Sequence, residues 1–313
     1  MIRRSLMIAG AVLAAAAAVS ACGPAPDAAK PGAAAPTPKT LAFEILSAED
    51  QASYEPLWTP LLDDLAKAIG VPVKPFFSSN YAALIQAMRF NQAQMGWLSA
   101  EPSVEAVDRA QAQVFARTAD LDGKDTYTSV VIVKKGSGVT LAKILKCDHS
   151  LSFGMGDPSS TSGTLAPTVF LFRAHKIDPN NCFKAVRSAT HAANLFSVAN
   201  GVLDASTNNS VGLDFAREGA PDAKRAYQAL QVVWTSPPLP ESAIVYRTDL
   251  DPALRAKIRD FFLTYGKAAG AEGDRQRAIM AKLHYSAFRP ADDSYLAPIR
   301  TMRAATVPAS TPG

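Results

Sequence analysis

The sequence predicts an α/β protein with two lobes. Two observations lead there. From Leu41 onward, short β-type runs alternate with helical patterns, the order that builds sheets covered by helices. The chain has 313 residues, and about 270 of them read as ordered, more than a single core usually holds. In such an alternating order the sheets are expected to be parallel, with helices on both faces.

The elements follow in order. Residues 41–46 read as a strand. Leu57, Leu61, Leu62, Leu65 and Ile69 share one helix face, closed by Gly70. Residues 71–77 form a strand candidate interrupted by prolines. Asn80 caps a helix carrying Leu84, Ile85 and Met88. A short strand at 95–98, a helix at 104–112 and a β-branched strand at 127–134 complete this series. A second series has a helix at 141–145, a strand at 151–154, a helix at 165–175, a strand at 183–187 and a helix at 191–200. Strands follow at 203–206, 230–234 and 243–247. Asp251-Pro252 then opens a helix with Leu254, Ile258, Phe261, Phe262 and Tyr265, proline suiting the first helical position. Two more helical stretches finish the chain.

The ends have a different character. Arg3 and Arg4 precede an apolar, alanine-rich stretch too short to span a bilayer, the pattern of an export signal over residues 1–21. Val19-Ser20-Ala21-Cys22 sets small residues before a cysteine where cleavage is expected. This is the arrangement in which a bacterial lipoprotein is cut and its Cys22 acylated. The plainer alternative is an ordinary signal peptide cut near Ala21. Residues 22–39 are a Pro/Ala-rich tether, and residues 306–313 a polar tail. The formal charge of +4 comes from 32 basic and 28 acidic residues; loss of Arg3 and Arg4 with the signal leaves +2. With no basic run or interleaved aromatic stripe, nucleic acid is not an expected partner.

Ligands of such sheets bind beyond the carboxyl ends of the strands. The loops of interest are therefore 47–51, 78–81, 99–101, 157–163, 188–191, 207–210 and 236–242. One has clear chemistry: Gly156-Asp157-Pro158-Ser159-Ser160-Thr161-Ser162-Gly163. A strand, a turn and a hydroxyl-rich helix start offer free backbone N–H groups to an anion, and the helix dipole favours negative charge. Simple helix capping would use the same residues. Pro167 removes a donor near that helix start, so the helix is either kinked there or regular only near Leu165.

The segment from Asp157 to Pro167 resembles the signature of the phosphonate-binding periplasmic proteins of ABC transporters, the PhnD type. Trp58-Thr59-Pro60-Leu61-Leu62, the run from Asn80 to Asn91, Glu105-Ala106-Val107-Asp108-Arg109-Ala110, His191 with Val198-Ala199-Asn200, and Thr207-Asn208-Asn209 are similar in order and spacing. The likeness covers roughly residues 40–303. It implies a type II periplasmic binding protein, two α/β lobes joined by a hinge with the ligand in the cleft. One lobe would be 40–129 plus 244–305 and the other 130–243.

The resemblance also implies roles. Ser160, Thr161 and Ser162 would hold the phosphonate oxygens, with Tyr81, Tyr127 and His191 closing over them. Read singly, each of these last three is as well explained by packing or capping. The branch that binds 2-aminoethylphosphonate uses two carboxylates for the ammonium; Val211 and Ser242 stand at their places here. An unpaired buried ammonium costs several kcal/mol, so 2-aminoethylphosphonate is not the expected preference. Glu241 and Glu101 are the nearby acids that would supply a displaced carboxylate, the plainer reading being solvated rim acids.

The expected function is thus capture of a phosphonate-like oxyanion for an ABC permease, by a lipid-anchored protein of the periplasm or cell envelope. A phosphite or phosphate binder, or a sensor presenting its ligand to a receptor, are the alternatives. Nothing points to an enzyme, a cofactor or a metal. His149, His175, His191 and His284 are scattered, without HExxH or CxxC spacing, and there is no Gly-x-Ser-x-Gly elbow. With Cys22 taken by lipid, Cys147 and Cys182 remain as a pair. They would form a disulfide if the strands that follow them are neighbours, and two buried thiols otherwise.

Overall fold

The computed structural model describes residues 38–47 and 51–306. The expected signal peptide, Cys22, the expected tether up to residue 37, residues 48–50 and residues 307–313 lie outside them. In chain order the strands are β1 (Leu41–Leu46), β2 (Val73–Ser78), β3 (Met95–Leu98), β4 (Ala112–Asp120), β5 (Thr126–Tyr127), β6 (Ser129–Lys134), β7 (Ser152–Met155), β8 (Ala185–Ser188), β9 (Ala205–Asn209), β10 (Leu230–Thr235), β11 (Leu239–Pro240), β12 (Ala243–Arg247) and β13 (Tyr285–Pro290). The α-helices are α1 (Gln51–Ile69), α2 (Tyr81–Arg89), α3 (Ala100–Arg109), α4 (Leu141–Leu145), α5 (His191–Ala199), α6 (Ser210–Glu218), α7 (Pro221–Gln228), α8 (Pro252–Thr264), α9 (Ala271–Lys282) and α10 (Ala297–Thr306).

The strands form two large sheets, one in the order β13-β4-β12-β3-β1-β2 and one in the order β10-β6-β9-β7-β8. The chain leaves the first sheet after β4 and enters the second at β6; it returns between β10 and β12. The two crossing segments pair with each other, β5 antiparallel to β11, with Tyr127 opposite Leu239.

The sheets are mixed, not parallel as the alternating order suggests. β1 runs parallel to β2 and β3, but β12 lies antiparallel to both β3 and β4, and β13 antiparallel to β4. In the second sheet β6 is antiparallel to β9 and β10. The reason is geometric. Strands such as β1, β3, β7 and β9 end at the cleft, whereas β6 and β12 begin there after a crossing and must run away from it.

Other boundaries also differ from the sequence reading. The helix expected at 104–112 is α3; it starts and stops earlier, and Gln111, in the left-handed region at φ 54°, turns the chain into β4. The strand expected at 203–206 is β9, and the final helical stretches are separated by β13.

Each sheet has its own core. Phe43, Trp58, Phe115 and Phe262 centre the first. On the second sheet, Phe153, Phe172 and Phe183 pack on one face and Leu195, Val198 and Leu213 on the other. β7 and β8 are parallel neighbours, and Cys147 and Cys182, just before them, are joined by a disulfide.

Candidate anion-binding site

The turn after β7 is held by its own side chains. Asp157 Oδ1 accepts the Ser159 N–H, and the Asp157 carbonyl accepts the Ser160 N–H and the Thr164 hydroxyl. Ser160 Oγ accepts the Gly163 N–H, so this hydroxyl caps the helix start. Gly156 and Gly163 meet backbone to backbone. A Cβ on Gly156 would lie 2.6 Å from Gly163 Cα, and one on Gly163 would lie 2.7 Å from Gly156 Cα. Only glycine fits at either place.

The segment after the turn is not a regular α-helix. Over Thr161–Leu165 and Thr168–Phe172 it winds in wide π turns, with the Leu165 N–H reaching the Ser160 carbonyl, five residues back. Pro167 gives the physical reason. It has no N–H for the carbonyls four and five residues before it. The Gly163 carbonyl instead accepts the Gly156 N–H and the Thr207 hydroxyl, and the Ser162 carbonyl accepts the Ser129 hydroxyl at 2.6 Å. The expected helix at 165–175 is therefore a distorted one, tied to β6 and β9. It also bridges the sheets: Leu165 and Ala166 pack into the first core, Leu171 and Phe172 into the second.

A cavity of about 50 Å³ lies where the sheets face each other. Helix starts converge on it: Tyr81 opens α2, Ser99 precedes α3, Ser162 belongs to the π segment, His191 opens α5, and Asn209, Val211 and Gly212 open α6. Among the described residues no Lys or Arg lines it. Its positive character is that of helix dipoles, with hydroxyls added.

The hydroxyls knit the lobes together. Thr161 Oγ1 accepts the Glu101 N–H at 2.8 Å and donates towards Ser99 Oγ at 3.4 Å. Tyr81 donates to Ser160 Oγ at 3.4 Å, and Ser162 Oγ lies 3.4 Å from His191 Nε2. Burial lowers the His191 pKa to about 4, so its imidazole is neutral at neutral pH. Burial holds the Tyr127 phenol well above its ordinary value, the nearby Ser162 hydroxyl pulling the other way.

Of the residues singled out in the sequence, Tyr81, Tyr127, Ser162, His191, Val211, Ser242 and Glu241 line this one cavity. Ser160 and Thr161 do not line it; both are buried, and their hydroxyls make the contacts just given. Glu241 and Glu101 are not solvated rim acids. Glu241 is 3% exposed, and its Oε2 accepts the Ser242 N–H and the Thr118 hydroxyl. Burial pushes its carboxyl up to about 7, against those two hydrogen bonds. Glu101, 7% exposed, is not in the cavity wall. Its Oε1 lies 3.4 Å from Arg303 Nε, and burial raises it to about 7 despite Arg303.

Sequence reasoning missed Leu46, Tyr54, Trp97, Gly212 and Tyr285 in the wall. Trp97 and Leu46 sit at or near the carboxyl ends of β3 and β1, where the same rule that selected the loops would have found them. Tyr285 begins β13, which was not legible.

Two α/β sheets joined by a paired double crossing, with helix starts converging between them, define a type II periplasmic binding protein. This chain belongs to the family described as ABC transporter, phosphonate, periplasmic substrate-binding protein, whose model matches residues 43–296. It is 40% identical over 265 residues to the phosphonates-binding periplasmic protein of Escherichia coli K12, covering 84% of this chain and 76% of that one. The solved binding-protein component of an ABC phosphonate transporter from Pseudomonas aeruginosa superposes with TM-score 0.79 at 36% identity, over 84% and 85% of the two chains. The fold is shared with PhnD1 from Prochlorococcus marinus in complex with methylphosphonate, at TM-score 0.73 and 22% identity, over 86% and 98%.

Proposed function

We propose that this chain is the ligand-capturing lipoprotein of an ABC importer, anchored through Cys22 by a Pro/Ala tether. Its lobes, 40–129 plus 244–305 and 130–243, close on a small phosphonate-type oxyanion for delivery to a permease. The observation that carries this reading is the convergence of helix starts on a cavity of about 50 Å³ that, among the described residues, no lysine or arginine lines. In it, Ser162 offers its hydroxyl to the oxyanion and Tyr81, Tyr127 and neutral His191 close over it, while Ser160 and Thr161, beside the wall, complete the clamp as the lobes close.

2-Aminoethylphosphonate is not the preferred ligand. Val211 and Ser242 offer no charge to an ammonium. Among the described residues Glu241 is the single carboxyl in the wall; it is already engaged by Ser242 and Thr118, and at neutral pH it is only partly ionised. The small cavity favours a compact ligand, so phosphite or phosphate is the second reading.

Calorimetric titration with phosphite, methylphosphonate, 2-aminoethylphosphonate and phosphate tests both. Tightest binding of methylphosphonate or phosphite is expected. A clear preference for 2-aminoethylphosphonate overturns the specificity, and binding of none overturns the function. Mass analysis of the membrane-extracted protein for an acylated Cys22 tests the anchor.

A further inference from the structure

Away from the cavity, the sheets' helices meet a second time. Phe215, in the second turn of α6, lies four residues after Val211, on the same helix face. Its ring stands 4.0 Å from the imidazole of His284 and 5.6 Å from the ring of Tyr54. Tyr54 in turn lies 6.1 Å from Trp97 in the cavity wall. One turn further along α6, Glu218 Oε2 is 3.5 Å from His284 Nε2. α6 packs with the second sheet, through Leu213 and Ala216, whereas Tyr54 and β13 belong with the first. Phe215, Glu218 and His284 do not line the cavity.

His284 is held in an unusual way. It sits between α9 and β13 in the left-handed region, at φ 61°. That backbone costs a non-glycine residue energy, and the imidazole it carries meets Phe215 and Glu218 of α6.

We propose that Phe215, Glu218 and His284 are a latch that keeps the lobes closed and sets how long the ligand stays. This rests on the reading of the cavity as the ligand site. α6 is the lever. A ligand drawn to its first turn, at Val211 and Gly212, brings its second turn onto Tyr54 and His284, and the ring contacts and the Glu218–His284 contact then oppose reopening. The latch residues are positioning residues: they act through α6, not on the ligand.

The test compares the parent with Phe215→Ala and His284→Gly. Phe215→Ala is expected to speed dissociation of methylphosphonate or phosphite about tenfold, the loss of one tilted aromatic contact, with association unchanged. His284→Gly removes the imidazole and also relieves the left-handed backbone. It should speed dissociation without lowering the Tm of the ligand-free protein, which a merely structural role would lower. Unchanged dissociation in both variants overturns the latch. If the parent binds none of the oxyanions, the functional reading has failed, and the radius of gyration in solution decides the latch separately. A larger radius in Phe215→Ala than in the parent supports it, and equal radii overturn it.

Discussion

Thr161 Oγ1 accepts the backbone N–H of Glu101 at 2.8 Å, a hydrogen bond that joins the hydroxyl-rich turn of one sheet to the first turn of α3 on the other. Glu101 would otherwise leave a helix-start N–H unpaired in a buried place. The hydroxyl thus has two partners on offer, the facing lobe and a bound oxyanion. Thr161→Ala removes both and is expected to weaken phosphonate binding by about 1.5–3 kcal/mol, ten- to a hundredfold. Thr161→Ser keeps the hydroxyl and should recover most of the loss. Equal affinities for parent and alanine variant, by calorimetry, would remove Thr161 from the clamp.

Ser129 completes what Pro167 leaves open. Its hydroxyl is the donor to the buried Ser162 carbonyl, which has no N–H from Pro167 to accept. Ser129→Ala leaves that carbonyl without its donor and should cost about 1–3 kcal/mol of stability, a fall in Tm of several degrees. A Tm unchanged within error would show that the carbonyl finds another donor.

Glu44 gives the fold a pH dependence. It is fully buried in β1, beside Gly96, whose missing Cβ makes room for it: a Cβ there would lie 2.9 Å from Glu44 Cβ. Burial pushes its carboxyl up from 4.5 to about 9. The folded chain therefore holds a proton that the unfolded chain has released. The stability linked to this group is full below about 4.5 and is lost as pH rises towards about 9. Glu44→Gln has no proton to lose, so its stability relative to the parent should climb across that range. Denaturant midpoints measured at several pH values check this; parallel profiles would refute it.

The disulfide closes a loop of 35 residues. Chain entropy gives such a loop about 3–4 kcal/mol. Thiol titration of the unreduced, unfolded protein should find neither Cys147 nor Cys182 free, and Cys147→Ser with Cys182→Ser should lower the Tm. Two titratable thiols would contradict the bond.

Much of the site was legible because it obeys one rule. Loops at the carboxyl ends of β-type runs supplied Tyr81, Ser99, Ser162, His191 and Asn209, and the loop before β12 supplied Glu241 and Ser242. What stayed hidden lacks a local signal. β4 carries Ala112, Ala116 and Ala119 at buried positions, residues whose burial comes from the neighbouring strands rather than from their own hydrophobicity. β13 has Pro290 at its end and no β-branched residue, so Tyr285 could not be placed. The π winding after Thr161 needed the partners of two freed carbonyls, Ser129 and Thr207, which lie far away in sequence. Strand direction was likewise unreadable, since it depends on which strands begin at the cleft.

That no lysine or arginine lines the cavity, among the described residues, has a kinetic consequence. The field of a helix start fades within about a turn of its end, whereas a lysine or arginine reaches out over the Debye length, about 10 Å at 0.1 M salt. The wall itself therefore gives an oxyanion no long-range steering. The oxyanion arrives by diffusion that the wall does not aid and is recognised only on contact. Ionic strength should leave the capture rate nearly flat, and a scavenger built this way works equally well in dilute and salty surroundings.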